Sequence, residues 1–379
     1  MKKILFLNNV AYPIYDLVLP ELKKHKDYRI YFLIASGKKS GAWSYQQKLK
    51  SGIKLLFSVK LTIPLGYDKF NLYINPTILI DLVKINPDVI VMAGWDQPSY
   101  IVAFFYGKLF GKKLILWSGS TAREESFIRR FTKPFVKFIL KYVDYIITYG
   151  TKSKKYILSL GDFRKKIIMG YYVCDNKFFM KKNKELLSKK AILKKKLGIP
   201  DKLTFLYVGQ LIKRKGLDFL IKAFHRLDKT GVSLLICGDG EEKERLKKQV
   251  LRSKINNIYF IGAKKLEDLP EIYNAADVFI LPSLIEVWGL VVNEAMASGL
   301  PVVVSKYAGA SADLVREGKN GFTFDPKNSN ELVKIFHYFI KNKDKSRIMG
   351  KESLKMIKSV NVKQLADAFH LAFSSALSV

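Results

Sequence analysis

"VFILPSLIEVWGLVVNEAMASGLPVVVS", Val278–Ser305, holds a strand, a loop, a helix and a second strand in one run. "VFIL" is apolar at every position and "VVVS" at all but its final Ser305, and both are rich in β-branched residues, the pattern of strands buried on both faces. Between them "LIEVWGL" reads as a loop and "VVNEAMASG" as a short helix ending at Gly299. The same rhythm runs outward in both directions. "KILFLNN", "YRIYFLIAS", "PDVIVMAG", "KKLILWSG" and "VDYIITYG" read as five buried strands of a first half. "LTFLYVGQ", "VSLLICGDG" and "NIYFIGA" precede the quoted unit, and "GFTFDP" follows it, giving six strands in a second half. Strands alternating with helices make an α/β chain with two parallel, doubly wound sheets, and ligands in such folds bind beyond the carboxyl ends of the strands.

Length and composition agree. At 379 residues, 49% apolar and 26% charged, the chain has room for about two globular domains. The expected division is 1–175, 176–360 and a closing helix over 361–379 that crosses back to the first domain. A hinge is expected around Tyr171–Lys182, followed by a helix in which Leu186, Leu187, Ile192, Leu193 and Leu197 share one face. "VKQLADAFHLAFSSAL" is the amphipathic closing helix.

The formal charge of +33 would attract nucleic acid, an anionic leaflet or a phosphorylated substrate. Zinc-finger spacing, an RNA-recognition aromatic signature and leucine heptads are all missing from the sequence, so no nucleic acid is expected. No stretch reaches the roughly 18 apolar residues of a membrane span, and "MKKILFLNN" reads as a first strand rather than a signal peptide. Cys174 and Cys237 match no metal or redox spacing and read as buried thiols of a reducing cytoplasm. His25, His225, His337 and His370 have no ligand-like spacing, and no Asp-x-Asp occurs, so no metal is expected.

Three turns carry candidate chemistry. In "FLYVGQLIKRKGLDF" a strand ends at Gly209, and Arg214 and Lys215 follow just before a helix; Arg214 can fork onto phosphate oxygens while Lys215 acts as a point charge. A solvated basic turn would look the same. "CGDGEEKERL" sets Gly238 and Gly240 after a strand, with Asp239 as an alternative plain helix cap. In the opening stretch Gly289 permits close backbone approach at a helix start, where unpaired N–H groups suit a phosphate. Glu286 and Glu294 flank it, and carboxylates suit vicinal hydroxyls. Taken alone, both acids also fit surface positions.

Taken together, Gly209…Arg214-Lys215-Gly216, Gly238-Asp239-Gly240 and Glu286-x7-Glu294 with "WGL", "EAMASGLPVV" and "KYAGASADLVREGKNGFTFDP" resemble family four of the retaining glycosyltransferases, the glycosyl transferases group 1. The resemblance covers about 204–326, and "YYVCDNKFF" is similar to the family's hinge. It implies a GT-B architecture, two Rossmann-like domains facing across a deep cleft, and transfer of a sugar from a nucleotide-diphosphate sugar. The co-substrate is then the sugar nucleotide, with no separate cofactor. The resemblance assigns catalytic roles to Glu286, Arg214 and Lys215. It makes Gly209, Gly238, Trp288, Gly289, Leu290, Val291 and Glu294 donor-binding, Glu286 on the sugar and Glu294 on the ribose. An epimerase or hydrolase acting on sugar nucleotides would use the same fold, and a basic nucleic-acid-binding module is the non-enzyme alternative.

The chain departs from the family's pattern at several points. Gln210 stands where an arginine is common, and Gly309-Ala310-Ser311-Ala312-Asp313 replaces a Gly-Gly-x-Pro-Glu loop. "NNVAYP" replaces a first-strand glycine pair, and "WSGSTAREES" stands where a histidine is usual. Acceptor candidates are Trp95 and Asp96 in "AGWDQPSY", and Ser118 and Glu124, with Ser120 and Glu125 as neighbours; an ordinary strand–helix loop remains the alternative. The acceptor itself is expected to be a glycan, a polysaccharide precursor or a lipid-linked sugar. In "FIRRFTKPFVKFILKYVD", Lys133, Lys137 and Lys141 recur every four residues, while Phe127, Phe131, Phe135, Phe138 and Tyr142 crowd other faces. Such a helix suits an anionic membrane surface, which would place the protein on the cytoplasmic side. It equally suits packing on the first sheet with its lysines in water.

Overall fold

A computed structural model describes residues 1–10, 14–25, 27–36, 53–65, 68–124, 127–227, 231–253 and 256–378. The chain forms two compact units. Of the described residues, one takes those up to Tyr172 and again from Val362, and the other takes Val173–Asn361.

The first unit contains β1 (Lys2–Val10), β2 (Tyr28–Ser36), β3 (Ile53–Leu55), β4 (Val59–Leu65), β5 (Asp68–Ile74), β6 (Val89–Met92), β7 (Lys113–Ser118), β8 (Tyr145–Thr148) and β9 (Ile167–Met169). Seven of these make a sheet in the order β3-β2-β1-β6-β7-β8-β9, every pairing parallel, while β4 and β5 form a separate antiparallel hairpin. The five strands expected here are present. The edge strands β3 and β9 are three residues each, too short to carry a periodicity, and sequence reading missed them.

Both faces of the sheet are covered because side chains alternate along each strand. Leu5 and Leu7 of β1 join Tyr100, Phe104 and Leu140 in the core on one side. Phe6, between them, points the other way and meets Phe369 edge-on at 5.1 Å. Phe369 belongs to the closing helix Val362–Leu377, which packs on β1 and on the helix Ile14–Leu22. The expected return of the last helix to the first unit is therefore observed. Midway along it His370 stacks on His25 at 3.7 Å and lies 3.0 Å from the Tyr28 hydroxyl, a packing role for both histidines.

The second unit contains β10 (Leu203–Val208), β11 (Val232–Cys237), β12 (Ile258–Gly262), β13 (Val278–Leu281), β14 (Val302–Ser305) and β15 (Gly321–Phe324), in the order β12-β11-β10-β13-β14-β15 and parallel throughout. All six expected strands are there, and β13, the helix Leu290–Ala297 and β14 form the βαβ unit read from Val278–Ser305. Phe205 of β10 anchors the core, with Phe336 edge-on at 4.7 Å.

Two expectations near the boundary need correction. The segment taken as hinge through Lys182 is already helix from Asn176 to Leu186, because the Asp175 carboxylate accepts from the Phe178 N–H at 3.0 Å and caps it. Asn176 also ties that helix start down, donating to the carbonyls of Ile357 and Val360 at 3.1 and 2.7 Å. The leucine face proposed beyond it is broken by a 3-10 turn at Leu187–Lys189, which leaves Leu187 and Ile192 exposed and Leu193 buried.

Candidate functional site

The second sheet reverses its strand order between β10 and β13, and loops leaving neighbouring strands at such a switch point diverge to leave room for a ligand. Arg214 and Lys215 leave from the β10 side and Glu286 from the β13 side. Hydrogen bonds and an ion pair join them. The Leu284 N–H donates to the Arg214 carbonyl at 2.8 Å, and the Arg214 guanidinium donates back to the Ile285 carbonyl at 3.3 Å. The Lys215 ammonium ion-pairs with Glu286, their side chains only 12% and 11% exposed, and the Ser283 hydroxyl donates to the same carboxylate oxygen at 3.4 Å. Burial by itself would push the Glu286 carboxyl upward. The charges of Lys215 and Arg214, helped by hydrogen bonds from Lys215 and Ser283, outweigh burial and hold it below the ordinary carboxylate range. Glu286 is therefore an ionised acceptor in a largely dry setting.

The loop after β14 braces this stretch. The Gly309 N–H donates to the Glu286 carbonyl and the Ala310 N–H to the Trp288 carbonyl, both at 3.0 Å, beside a parallel bridge between Glu286 and Ala308. A Cβ on Gly309 would lie 1.9 Å from the Val287 carbonyl oxygen, so the contact requires glycine. The sequence left the Gly309–Asp313 loop without a role; its backbone pins Glu286.

Glycines clear the floor under the loops. A Cβ on Gly238 would sit 1.8 Å from the Gly209 carbonyl oxygen, and one on Gly240 would sit 2.4 Å from that of Leu211. Asp239 is not the helix cap. Its carboxylate accepts from the Gly240 N–H and pairs with Lys243, both at 2.8 Å. Gly289 has φ +100 and immediately precedes the helix Leu290–Ala297, whose first-turn N–H groups, Leu290 and Val291 among them, have no acceptor within the helix.

Glu294 lies further along that helix in different surroundings. Its carboxylate accepts from the Tyr273 hydroxyl at 2.8 Å. Burial pushes its pKa up to about 7 against the lowering effect of that hydrogen bond. Buried Cys174 and Cys237 lie close by: burial, and then the charge of Glu294, raise the Cys174 thiol, and Cys237 is pushed up to about 12, chiefly by burial. The structure thus gathers Arg214, Lys215, Glu286 and Gly289 directly and sets Glu294 beside Tyr273 and the two thiols. Trp288 stands apart. Its ring is 2% exposed and its indole N–H donates to Asn293 at 2.9 Å, so only its backbone borders the site. Ser283 and Tyr273 are the participants that sequence reading missed. Nothing local marks either of them, whereas Gly309 stood in a loop already singled out as a departure from the family's pattern.

The acceptor candidates belong to the first unit and follow the adjacent strands β6 and β7. Trp95 is 9% exposed and belongs to the unit's core, so its ring is not an open stacking platform. Asp96 is exposed. Ser118 is buried at the end of β7, its hydroxyl accepting from the Ser120 N–H at 3.2 Å and its carbonyl accepting from the Ser153 hydroxyl at 2.8 Å. Glu124 ends a 3-10 turn, Ala122–Glu124, but its side chain and all of Glu125 lie outside the described residues. Among the described residues no cluster suited to a metal ion occurs.

Two doubly wound parallel units, with the last helix returned to the first, define a GT-B fold. The model of the glycosyl transferases group 1 family matches residues 189–356 of the chain. It is 26% identical over 295 residues to the sulfoquinovosyl transferase SQD2 of Arabidopsis thaliana, covering 74% of this chain and 55% of that protein. It is 36% identical over 169 residues to an uncharacterized glycosyltransferase of Haemophilus influenzae, 42% of this chain and 47% of the relative. The chain thus spans about half the length of these two relatives. Among solved structures, Anabaena Alr3699/HepE in complex with UDP matches with a TM-score of 0.79 at 20% identity, over 99% of this chain and 100% of that one. The same Anabaena protein has also been solved with UDP-glucose.

Proposed function

We propose that this protein is a retaining glycosyltransferase that moves a sugar from a nucleotide-diphosphate sugar to a hydroxyl of a glycan, polysaccharide precursor or lipid-linked acceptor. The observation that carries the reading is the Lys215–Glu286 pair at the switch point, with Arg214 bonded to the same loop. Arg214 and Lys215 neutralise the donor's diphosphate, and the helix start after Gly289 adds backbone N–H groups to it. Glu286 accepts hydrogen bonds from hydroxyls of the donor sugar, and Glu294 does so from the ribose. The bond from the anomeric carbon to the diphosphate breaks as one to the acceptor oxygen forms on the same face, and the acceptor's proton passes to the leaving phosphate. Stabilising the charge that develops on that phosphate is the main catalytic contribution. We place the protein in the cytoplasm, on the inner face of a cell membrane.

The first test is calorimetric binding of uridine, guanosine and adenosine diphosphates, followed by transfer assays with the labelled sugar nucleotide of the one that binds. The complex of Anabaena HepE with UDP makes uridine the first choice. Arg214→Ala removes a charged donor and is expected to weaken diphosphate binding by roughly 10- to 100-fold; an unchanged affinity would remove Arg214 from the site.

Glu294 makes a second prediction, with a definite sign. A carboxylate accepts from both ribose hydroxyls, whereas the protonated acid loses part of that capacity. Nucleotide affinity is therefore expected to rise as pH increases to about 7 and then level off. The linkage to stability has the opposite sense. Between the ordinary carboxylate range and about 7 the folded chain holds a proton that the unfolded chain has released, so stability falls with rising pH in that window. Glu294→Gln should flatten both profiles; a variant that keeps the parent's pH dependence would assign it to another group.

A further inference from the structure

We propose that the first unit docks on an anionic lipid surface through one face built by three helices, Ile78–Ile85, Pro98–Leu109 and Phe127–Tyr142, and that a groove in this face takes lipid acyl chain. The inference rests on the membrane placement proposed above and specifies the surface that makes it.

The helices are neighbours. Tyr106 of the second donates to the Leu82 carbonyl of the first at 3.2 Å, and Phe104 meets Phe138 of the third edge-on at 5.8 Å. Each turns one side to the core, with Leu82, Phe104 and Ile139 buried there. Each also leaves large apolar side chains in water at helical spacing, which is unusual for a surface with no partner. Leu79, Ile80 and Val83 are exposed on the first helix, Phe105 and Leu109 on the second with Phe110 just after it, and Phe131, Phe138 and Tyr142 on the third. Leu109 is 80% exposed and Phe131 68%, values that a helix serving only to pack phenylalanines on the sheet would not give. Leu79, Val102, Phe105, Leu109 and Phe110 line a groove of about 460 Å³ between the first two helices.

Charge decides the occupant. Phe127–Tyr142 carries five Lys and Arg residues and no acid in its sequence, and Pro98–Leu109 has no acid either. The one acid of the three helices, Asp81, is buried and paired with Lys54. Lys84, Lys108, Lys137 and Lys141 are exposed around the apolar residues. The cores of protein–protein interfaces are depleted of lysine. An apolar face rimmed by lysines is what an interfacial helix presents to an anionic leaflet, with aromatic groups at the headgroup boundary and ammonium groups on the phosphates. None of the helices in the described residues is long and apolar enough to cross a membrane, so contact is from one side.

The test is flotation of the full chain with vesicles of phosphatidylcholine alone and with added phosphatidylglycerol, at low and high salt. Binding is expected only with phosphatidylglycerol and should weaken with salt. Lys137→Glu/Lys141→Glu should lower it by about fivefold or more for each lysine reversed. Phe105→Ser/Leu109→Ser/Phe110→Ser changes only exposed side chains, so it should fold and yet fail to float. Nucleotide binding by calorimetry on the same proteins should be unchanged, which separates failure of this proposal from failure of the transferase reading. Protein that stays at the bottom at low salt, equal binding to both vesicles, or flotation of either variant at the parent's level overturns the proposal. A dimer in sedimentation that the serine variant dissociates would instead assign the face to a second copy of the chain.

Discussion

Glu286→Gln is expected to lower sugar transfer by roughly 10²- to 10³-fold, the loss typical of removing one preorganised electrostatic contact from a transition state. Nucleotide diphosphate affinity should not weaken. The reason lies in the ion pair. In the folded chain the Lys215 ammonium is committed to Glu286, and both side chains are nearly out of solvent. Glutamine keeps the shape and one acceptor oxygen for Ser283 but removes the charge, so Lys215 has more of its field to offer a diphosphate. Transfer and binding should therefore separate, with slow turnover and equal or tighter binding. Parent-level transfer would remove Glu286 from the chemistry. Collapse of diphosphate affinity would show instead that Glu286 serves only to hold Lys215 in place.

Gly238→Ala is expected to destabilise the second unit by more than about 4 kcal/mol, a size reserved for direct clashes and comparable faults. A Cβ at this position would fall 1.8 Å from the Gly209 carbonyl oxygen, and both residues end strands hydrogen-bonded to each other, so neither backbone can retreat without breaking the β10–β11 ladder. Gly198→Ala is the control. Its φ of +67 also disfavours a side chain, though less than the +152 of Gly238, and nothing lies within 4 Å of the added atom, so only backbone strain of about 1–3 kcal/mol applies. Urea unfolding of the two variants compares clash with strain. Equal costs would mean that the strand ends can separate after all.

Much of the architecture was legible because it is written locally. A run such as "VVVS" or "LTFLYV" has no polar face to expose, so it goes to the middle of a parallel sheet wherever it falls in the chain. What was misread lacked that redundancy. The three-residue strands β3 and β9 have no periodicity of their own. At Asn176 a capping carboxylate and two long-range side-chain bonds start a helix where composition suggested a hinge. Trp95 reads as an exposed aromatic in a polar loop, and only the packing of the first unit shows that its ring is in the core.

The sequence by itself determined that this chain alternates strand and helix in two halves, and it marked the glycines, the basic turn and the two acids. Tertiary structure decided which of these meet. Lys215 and Glu286 are 71 residues apart, and two whole strands, β11 and β12, lie between β10 and β13 along the chain. They touch because those strands are laid on one side of β10 while β13 is laid on the other, so the loops leaving β10 and β13 become neighbours. A linear pattern cannot state that, since side-by-side order in a sheet is chosen by which buried faces fit together rather than by distance along the chain.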